Sequence, residues 1–391
     1  MALFKEIRHV LAQAMLLEDG RNVNIDLLLG LLTYLVWGNE QLLSDNPKSL
    51  SRFTQMATTI VFELRLNKPS QREVNMLPKG NPGDSSARQT VTGPTLEDRR
   101  AVLGCFVMSS IVASGLAHID AMQWTAYMEE CLRVLSEKKE CPSDELFLCQ
   151  VRCQLLSQRM IQAPQLPEEV GQPESRVPAA FYLKALQSNL QQIRGAVSPT
   201  LQADAILVSA MYHAELSICD MALSQTTTSS SPGSHRLECL YASLNTAKLA
   251  FDNFFDVPIS AYFGMSFPVF AQFARSIAVL YKLSILDDPS WDIGLVRSTV
   301  DILQILDRLL NNLELANQLS FDGAEDSIAA RTIKVFTSVR AWCSAKLGSS
   351  GNAANDTSLR LTSEAGMSQD PFALESLDDA WLGDILASWT D

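Results

Sequence analysis

Three thiols come nearest to a chemical constellation in this chain. Cys149 and Cys153 would share one helix face with Cys141 upstream, and thiolates gathered on such a face have the ligand chemistry of a zinc site. Yet no C-x2-C pair occurs among the eight cysteines (Cys105, Cys131, Cys141, Cys149, Cys153, Cys219, Cys239 and Cys343). They are scattered through apolar segments, and cysteine is among the most buried residue types, so the pattern fits reduced core thiols in cytosol or nucleus. His9, His118, His213 and His235 are far apart in sequence. H-E-x-x-H, G-x-S-x-G and G-x-x-x-x-G-K-[ST] are all missing, and the nearest phosphate-like string, "GNPGDSS", lacks both the lysine and the following helix. The acidic pairs at Asp287 and Asp378 do not begin the D-D-x-x-D/E pattern of a metal-dependent terpene cyclase. The chain reads as a non-enzyme with no catalytic, cofactor or metal residue of its own.

Helices carry these residues. In "TLEDRRAVLGCFVMSS", Thr95 can accept from the amide of Asp98 while Asp98 reaches back, a capping box that starts a helix directly after Pro94. Arg99 and Arg100 then sit in the first turn, where the helix dipole disfavours cations, so each is expected to pair with Glu97 or another acidic neighbour. Ala101 to Ser110 reads as buried all round. Phe4, Ile7, Leu11 and Met15 recur at helical spacing, as do Phe53, Met56, Ile60 and Leu64. The stretch from Ile293 repeats Val296, Val300, Leu303, Leu310 and Leu313, with Arg297 four residues before Asp301. The aromatic run "FDNFFDVPISAYFGMSFPVFAQF" has the composition of a pocket lining, but is better explained as core. It is expected to share one core with the helix after Thr95.

At 391 residues, 47% hydrophobic and 19% charged, the composition is that of a globular protein. The longest apolar stretch, Ile25 to Trp37, falls short of the roughly 18 residues that a bilayer span requires, so no membrane association is expected. Pro/Gly- and Ser/Thr-rich stretches at about 67–94, 163–178 and 224–235 read as loops or disordered linkers. The fold class is all-α: one large multi-helix domain over 1–347, followed by a flexible acidic tail over 348–391. A net charge of −13 argues against this chain itself lying along a phosphate backbone.

The tail is an electrostatic unit of its own. From Gly351 to Asp391 it holds eight carboxylates against Arg360 alone, seven of the thirteen net negative charges. Within 372–389, Leu377, Trp381, Ile385 and Trp389 recur every fourth residue; Leu382 and Leu386 widen the stripe, Phe372 precedes it, and Asp378, Asp379 and Asp384 lie off it. Such a segment suits folding against the groove of a partner, with the carboxylates steering it toward a basic rim.

Several strings together resemble a known family. "NIDLLLGLLTYLVWGN", "FTQMATTIVFELRLNKP", "TLEDRRAVLGCFVMSSIVASG" and "YMEECLRVL", in this order, are similar to the helical regulatory region of fungal binuclear zinc cluster transcription factors. "AYFGMSFPVFAQFARSIAVLYKLSILDDPSWDIGLVRSTVDILQILDRL" resembles the later helices of that region, and "LDDAWLGDIL" its acidic end. The chain departs from the family in having Ser109 and Ser110 where many members have Asp-Arg. The resemblance implies a nuclear regulator of RNA polymerase II genes, with the acidic segment binding transcriptional coactivators and the helical region responding to a partner or a small-molecule effector. It implies zinc only in a six-cysteine N-terminal cluster that these residues do not contain, and therefore DNA contact through a missing or partner-supplied module. The competing reading of the same helices is a protein-interaction scaffold or small-molecule sensor with no DNA-binding role.

Overall fold

The computed structural model describes residues 2–14, 23–37, 48–68, 94–116, 119–162, 179–224, 234–319 and 328–352. These form helices α1 (Ala2–Ala12), α2 (Ile25–Trp37), α3 (Lys48–Glu63), α4 (Leu96–Leu116), α5 (Ala126–Lys138), α6 (Asp144–Gln162), α7 (Ala179–Ala196), α8 (Ala205–Ser224), α9 (Ser234–Phe255), α10 (Phe267–Ile285), α11 (Ile293–Thr299), α12 (Ile302–Leu319) and α13 (Ile328–Asn352), with a 3₁₀ helix at Ile259–Gly264. Among the described residues there is no strand, and no helix is long and apolar enough to cross a membrane. The all-α expectation holds.

Short polar side chains start the helices. Thr95 N donates to Asp98 Oδ2 at 2.8 Å and Asp98 N donates back to Thr95 Oγ1 at 3.0 Å, the reciprocal cap expected from the sequence. Asn24, Thr125, Asp204, Asp292 and Asp301 do the same work singly for α2, α5, α8, α11 and α12. At its other end α5 closes on Lys139 in the left-handed conformation (φ 43°), whose N–H returns to Leu135 O.

The chain divides into two units, Met1–Val36 with Leu50–Val151, and Trp37–Ser49 with Arg152–Asp391. In the first, α4 is apolar on nearly every side, and Val102, Leu103, Cys105 and Phe106 are fully buried. Leu32 of α2 lies beside Gly104, Thr58 of α3 touches the Cys105 sulfur at 3.7 Å, and Trp124 packs edge-on against Phe106 with centroids 4.8 Å apart. Burial of each such large side chain contributes about 1.5–3 kcal/mol.

In the second unit, α8 packs against α7, α9 and α10, while α12 packs against α13 and the 3₁₀ helix. Its core runs from Leu216 to Cys343 and holds Phe251, Phe254, Phe255, Tyr262 and Phe273. The helix after Thr95 and the aromatic run thus fall in different units, which corrects the expectation of one shared core. An all-round apolar helix needs partners on every side, and α4 finds them in α2, α3 and α5.

A second correction concerns the stretch after Ile293. The helical period runs through it unbroken, but α11 stops at Thr299, Val300 is extended (φ −149°, ψ 115°), and Asp301 Oδ1 accepts from Leu303 N at 2.8 Å to open α12. Ser298, Thr299 and Val300 have low helix propensity, and an aspartate carboxylate competes for nearby amides. Arg297 and Asp301 therefore do not share a helix. The stripe buried along α12 is Ile302, Leu306, Leu309 and Leu313, with Leu303 and Leu310 half-buried at its edges.

Candidate functional site

The strongest polar arrangement in the first unit centres on Arg100. Its Nε donates to Asp144 Oδ1 at 2.7 Å, and its Nη2 to Asp144 Oδ2 and Glu140 Oε2, both at 2.9 Å. Asp144 also accepts from Cys141 N at 3.0 Å, and its side chain is only 5% exposed. The hydrogen bond from Arg100 holds the Asp144 carboxyl below the usual carboxylate range, and the reciprocal bond raises Arg100 against the opposing effect of burial. Arg100 thus has the acidic neighbours expected of it, forty and forty-four residues along the chain. Arg99 goes elsewhere: Nη1 donates to Cys131 Sγ at 3.7 Å, and the guanidinium lies 5.8 Å from the Tyr127 ring centroid. The two arginines fasten α4 to α5 and to the start of α6.

In the second unit the aromatic run is packed against itself. Phe254 stacks on Phe273 at 3.9 Å and meets Tyr262 edge-on at 5.4 Å, and the Arg308 guanidinium covers the Phe255 ring at 4.3 Å. The fully buried Tyr262 hydroxyl accepts from Asn312 Nδ2 at 2.9 Å. These rings fill the core, in line with the core reading of that segment.

Every thiol but that of Cys141 is buried, and so is the His213 imidazole. Cys149 and Cys153 are buried, and burial pushes the Cys105 and Cys343 thiols up to about 12. His213 is buried and held down to about 4, chiefly by burial and then by the Arg275 charge, so its imidazole is neutral at physiological pH. Among the described residues no group of three or more His, Cys, Asp and Glu side chains is placed to hold a metal ion. The paired Cys-x2-Cys thiolates of a binuclear zinc cluster are not among these residues, so nothing here fits the metal that the resemblance implies.

The predicted partner-binding residues Phe372, Leu377, Trp381, Leu382, Ile385, Leu386 and Trp389 all lie outside the described residues. What the described helices define is a framework whose polar side chains serve caps, ion pairs and core hydrogen bonds.

Comparison with known proteins gives that framework its relatives. The ATEG07667_C family model, described as a C-terminal domain, matches residues 259–391. The chain is 34% identical over 312 residues to the transcription factor opdL of Penicillium oxalicum, a match covering 78% of this chain and 54% of that protein. It is 30% identical over 338 residues to a protein of Aspergillus terreus named as a transcription factor, covering 83% of this chain and 48% of the relative. With the transcription factor himD of Aspergillus japonicus the identity is 24% over 285 residues, covering 72% and 46%. The chain spans about half the length of the relatives it matches. No solved structure matches it. Over most of its length the chain is homologous to fungal transcription factors, as the sequence resemblance implied.

Proposed function

We propose that this chain is the helical regulatory region of a fungal transcription factor, acting in the nucleus on RNA polymerase II genes, with the acidic segment 372–389 as its activation helix. The observation that carries the reading is the similarity to opdL over 78% of the chain. The family-model match also runs through to Asp391, so the acidic tail is part of the matched stretch. DNA is contacted by a zinc cluster module outside these residues, because a chain of net charge −13 offers little to a phosphate backbone. Coactivators take the face formed by Leu377, Trp381, Ile385 and Trp389, widened by Leu382 and Leu386. A helix of this length standing alone is marginal in water, and Gly383 lowers its propensity by roughly 1 kcal/mol, so ordering is coupled to binding.

The test fuses Ser368 to Asp391 to an unrelated DNA-binding domain and reads reporter output, beside a Trp381→Ala, Ile385→Ala double variant. Activity from the fusion that the double variant loses is the expected result. A silent fusion, combined with lowered stability of the whole chain when the tail is deleted, would overturn the assignment and make the segment a helix docked on its own domain.

A further inference from the structure

The helices α8 and α9 form an antiparallel hairpin whose register is fixed at its far end, where Asn253 Nδ2 donates to Ala205 O at 3.0 Å. Positions 205 and 253 are placed symmetrically about residue 229, and so are 219 and 239. That register sets Cys219 opposite Cys239. Their thiols share a hydrogen bond, and the Ser243 hydroxyl also reaches Cys219. The two side chains are 2% and 3% exposed and belong to the same core of the second unit. Other thiols face different chemistry: Cys105 meets Thr58 and Cys131 meets Arg99 and Tyr127.

We propose that Cys219 and Cys239 are a peroxide-sensitive disulfide site, an intrachain staple that locks the α8–α9 hairpin when the chain is oxidised. The pair lies toward the connected end of the hairpin, five residues from the last residue of α8 (Ser224) and five from the first of α9 (Ser234). Opening of these helix ends is the low-energy route by which a small oxidant reaches buried sulfurs. In the closed hairpin the shared hydrogen bond and burial both raise the Cys219 thiol, so the reactive thiolate is scarce and oxidation follows the opening. On opening, the Cys239 thiolate attacks one oxygen of hydrogen peroxide, breaking the O–O bond to give a sulfenic acid and hydroxide, which takes up a proton. Cys219 sulfur then attacks the sulfenic sulfur, forming the S–S bond and expelling the oxygen as a second water. Two thiols lose two electrons and two protons, and one peroxide becomes two waters. The inference concerns the hairpin alone and does not depend on the transcriptional reading.

The full chain is treated with hydrogen peroxide, quenched in acid, alkylated with iodoacetamide under denaturing conditions and digested without reductant for mass spectrometry. A linked peptide pair carrying Cys219 and Cys239 is expected, reversed by dithiothreitol and abolished in Cys239→Ser, whereas Cys343→Ser keeps it. Closing a loop of about 20 residues should raise the Tm of the oxidised chain by several degrees, an increment missing from Cys239→Ser. Recovery of both cysteines alkylated after complete peroxide exposure, their conversion to sulfinic acid, or linkage to other cysteines at equal yield would overturn the proposal. Because the wild-type chain gives the linkage directly, a variant that fails to fold does not weaken the test.

Discussion

Replacing Asp144 by asparagine isolates the charge in the Arg100 clamp. The amide oxygen of asparagine can still accept from Cys141 N, which Asp144 does at 3.0 Å, so the local turn is kept. What is lost is the paired, charge-assisted geometry with Arg100 at 2.7 and 2.9 Å, on a carboxylate whose side chain is only 5% exposed. Hydrogen bonds to charged groups contribute about 1.5–3 kcal/mol, against about 1 kcal/mol for neutral ones. Glu140 remains as a partner for Arg100 but is 57% exposed, and exposed pairs contribute about 0–1 kcal/mol. The net loss is about 2 kcal/mol, or roughly a 30-fold rise in amide exchange for peptides that open with the clamp. Hydrogen exchange read by mass spectrometry should show it in α4, α5 and the first turns of α6, with α12 as the internal reference. The pH dependence has a definite sign. Asp144 is depressed in the folded chain, so its contribution is present above the unfolded carboxylate value of about 3.9 and is lost as pH falls through the lower folded value. Wild-type protection in α4 should therefore weaken in that acid window, and the Asp144→Asn chain should lack this limb. Less than fivefold faster exchange, or equal loss in α12, would refute the reasoning.

Two further substitutions probe the two cores. A Cβ at Gly104 would stand 3.7 Å from Leu32 Cδ1, an ordinary contact; Gly104→Ala should thus be neutral or stabilising by up to about 1 kcal/mol, while Gly104→Leu drives into Leu32 and should cost about 1–3 kcal/mol by overpacking, both read as exchange in α2 and α4. Asn312→Leu strips the buried Tyr262 hydroxyl of its 2.9 Å donor and should cost about 1–3 kcal/mol in urea unfolding; adding Tyr262→Phe should restore most of it, and a purely additive pair would show that the hydrogen bond contributes nothing.

How much was legible in the sequence depends on the range of the interaction. Thr95 and Asp98 are three residues apart, so their cap could be written down from the string and is found as written. The partners of Arg100 lie forty residues away, and Glu97, the neighbour in plain sight, is not the residue that takes it. Arg99 shows the same limit: its guanidinium meets a sulfur and a ring, which no local rule for cations near a helix start would select. Apolar composition correctly marked Ala101 to Ser110 as interior, yet it carries no information on which other apolar segments complete that interior. The apolar stripe from Leu377 to Trp389 is likewise a pattern of local spacing, and it lies outside the described residues.

Asp301 and Cys219 show where local reading fails even when the signal is present. At Asp301 two local rules disagreed, an apolar period running through the residue and a carboxylate able to cap the amides after it. The cap won, because Thr299 and Val300 gain little from helical geometry while a capped start satisfies amides that a new helix leaves open. Breaking the helix there resets the phase, which is why Leu306 and Leu309 are buried in place of Leu310. At Cys219 the sequence offers only a lone cysteine in an apolar helix, and its burial is the ordinary outcome for that residue type. Its partner is chosen by hairpin register, which is pinned by the contact between Asn253 and Ala205. A shift of one residue along either helix would turn the side chain by about 100° and part the two sulfurs. The property with the most chemistry in it, two thiols face to face, thus belongs to the register and to neither cysteine alone.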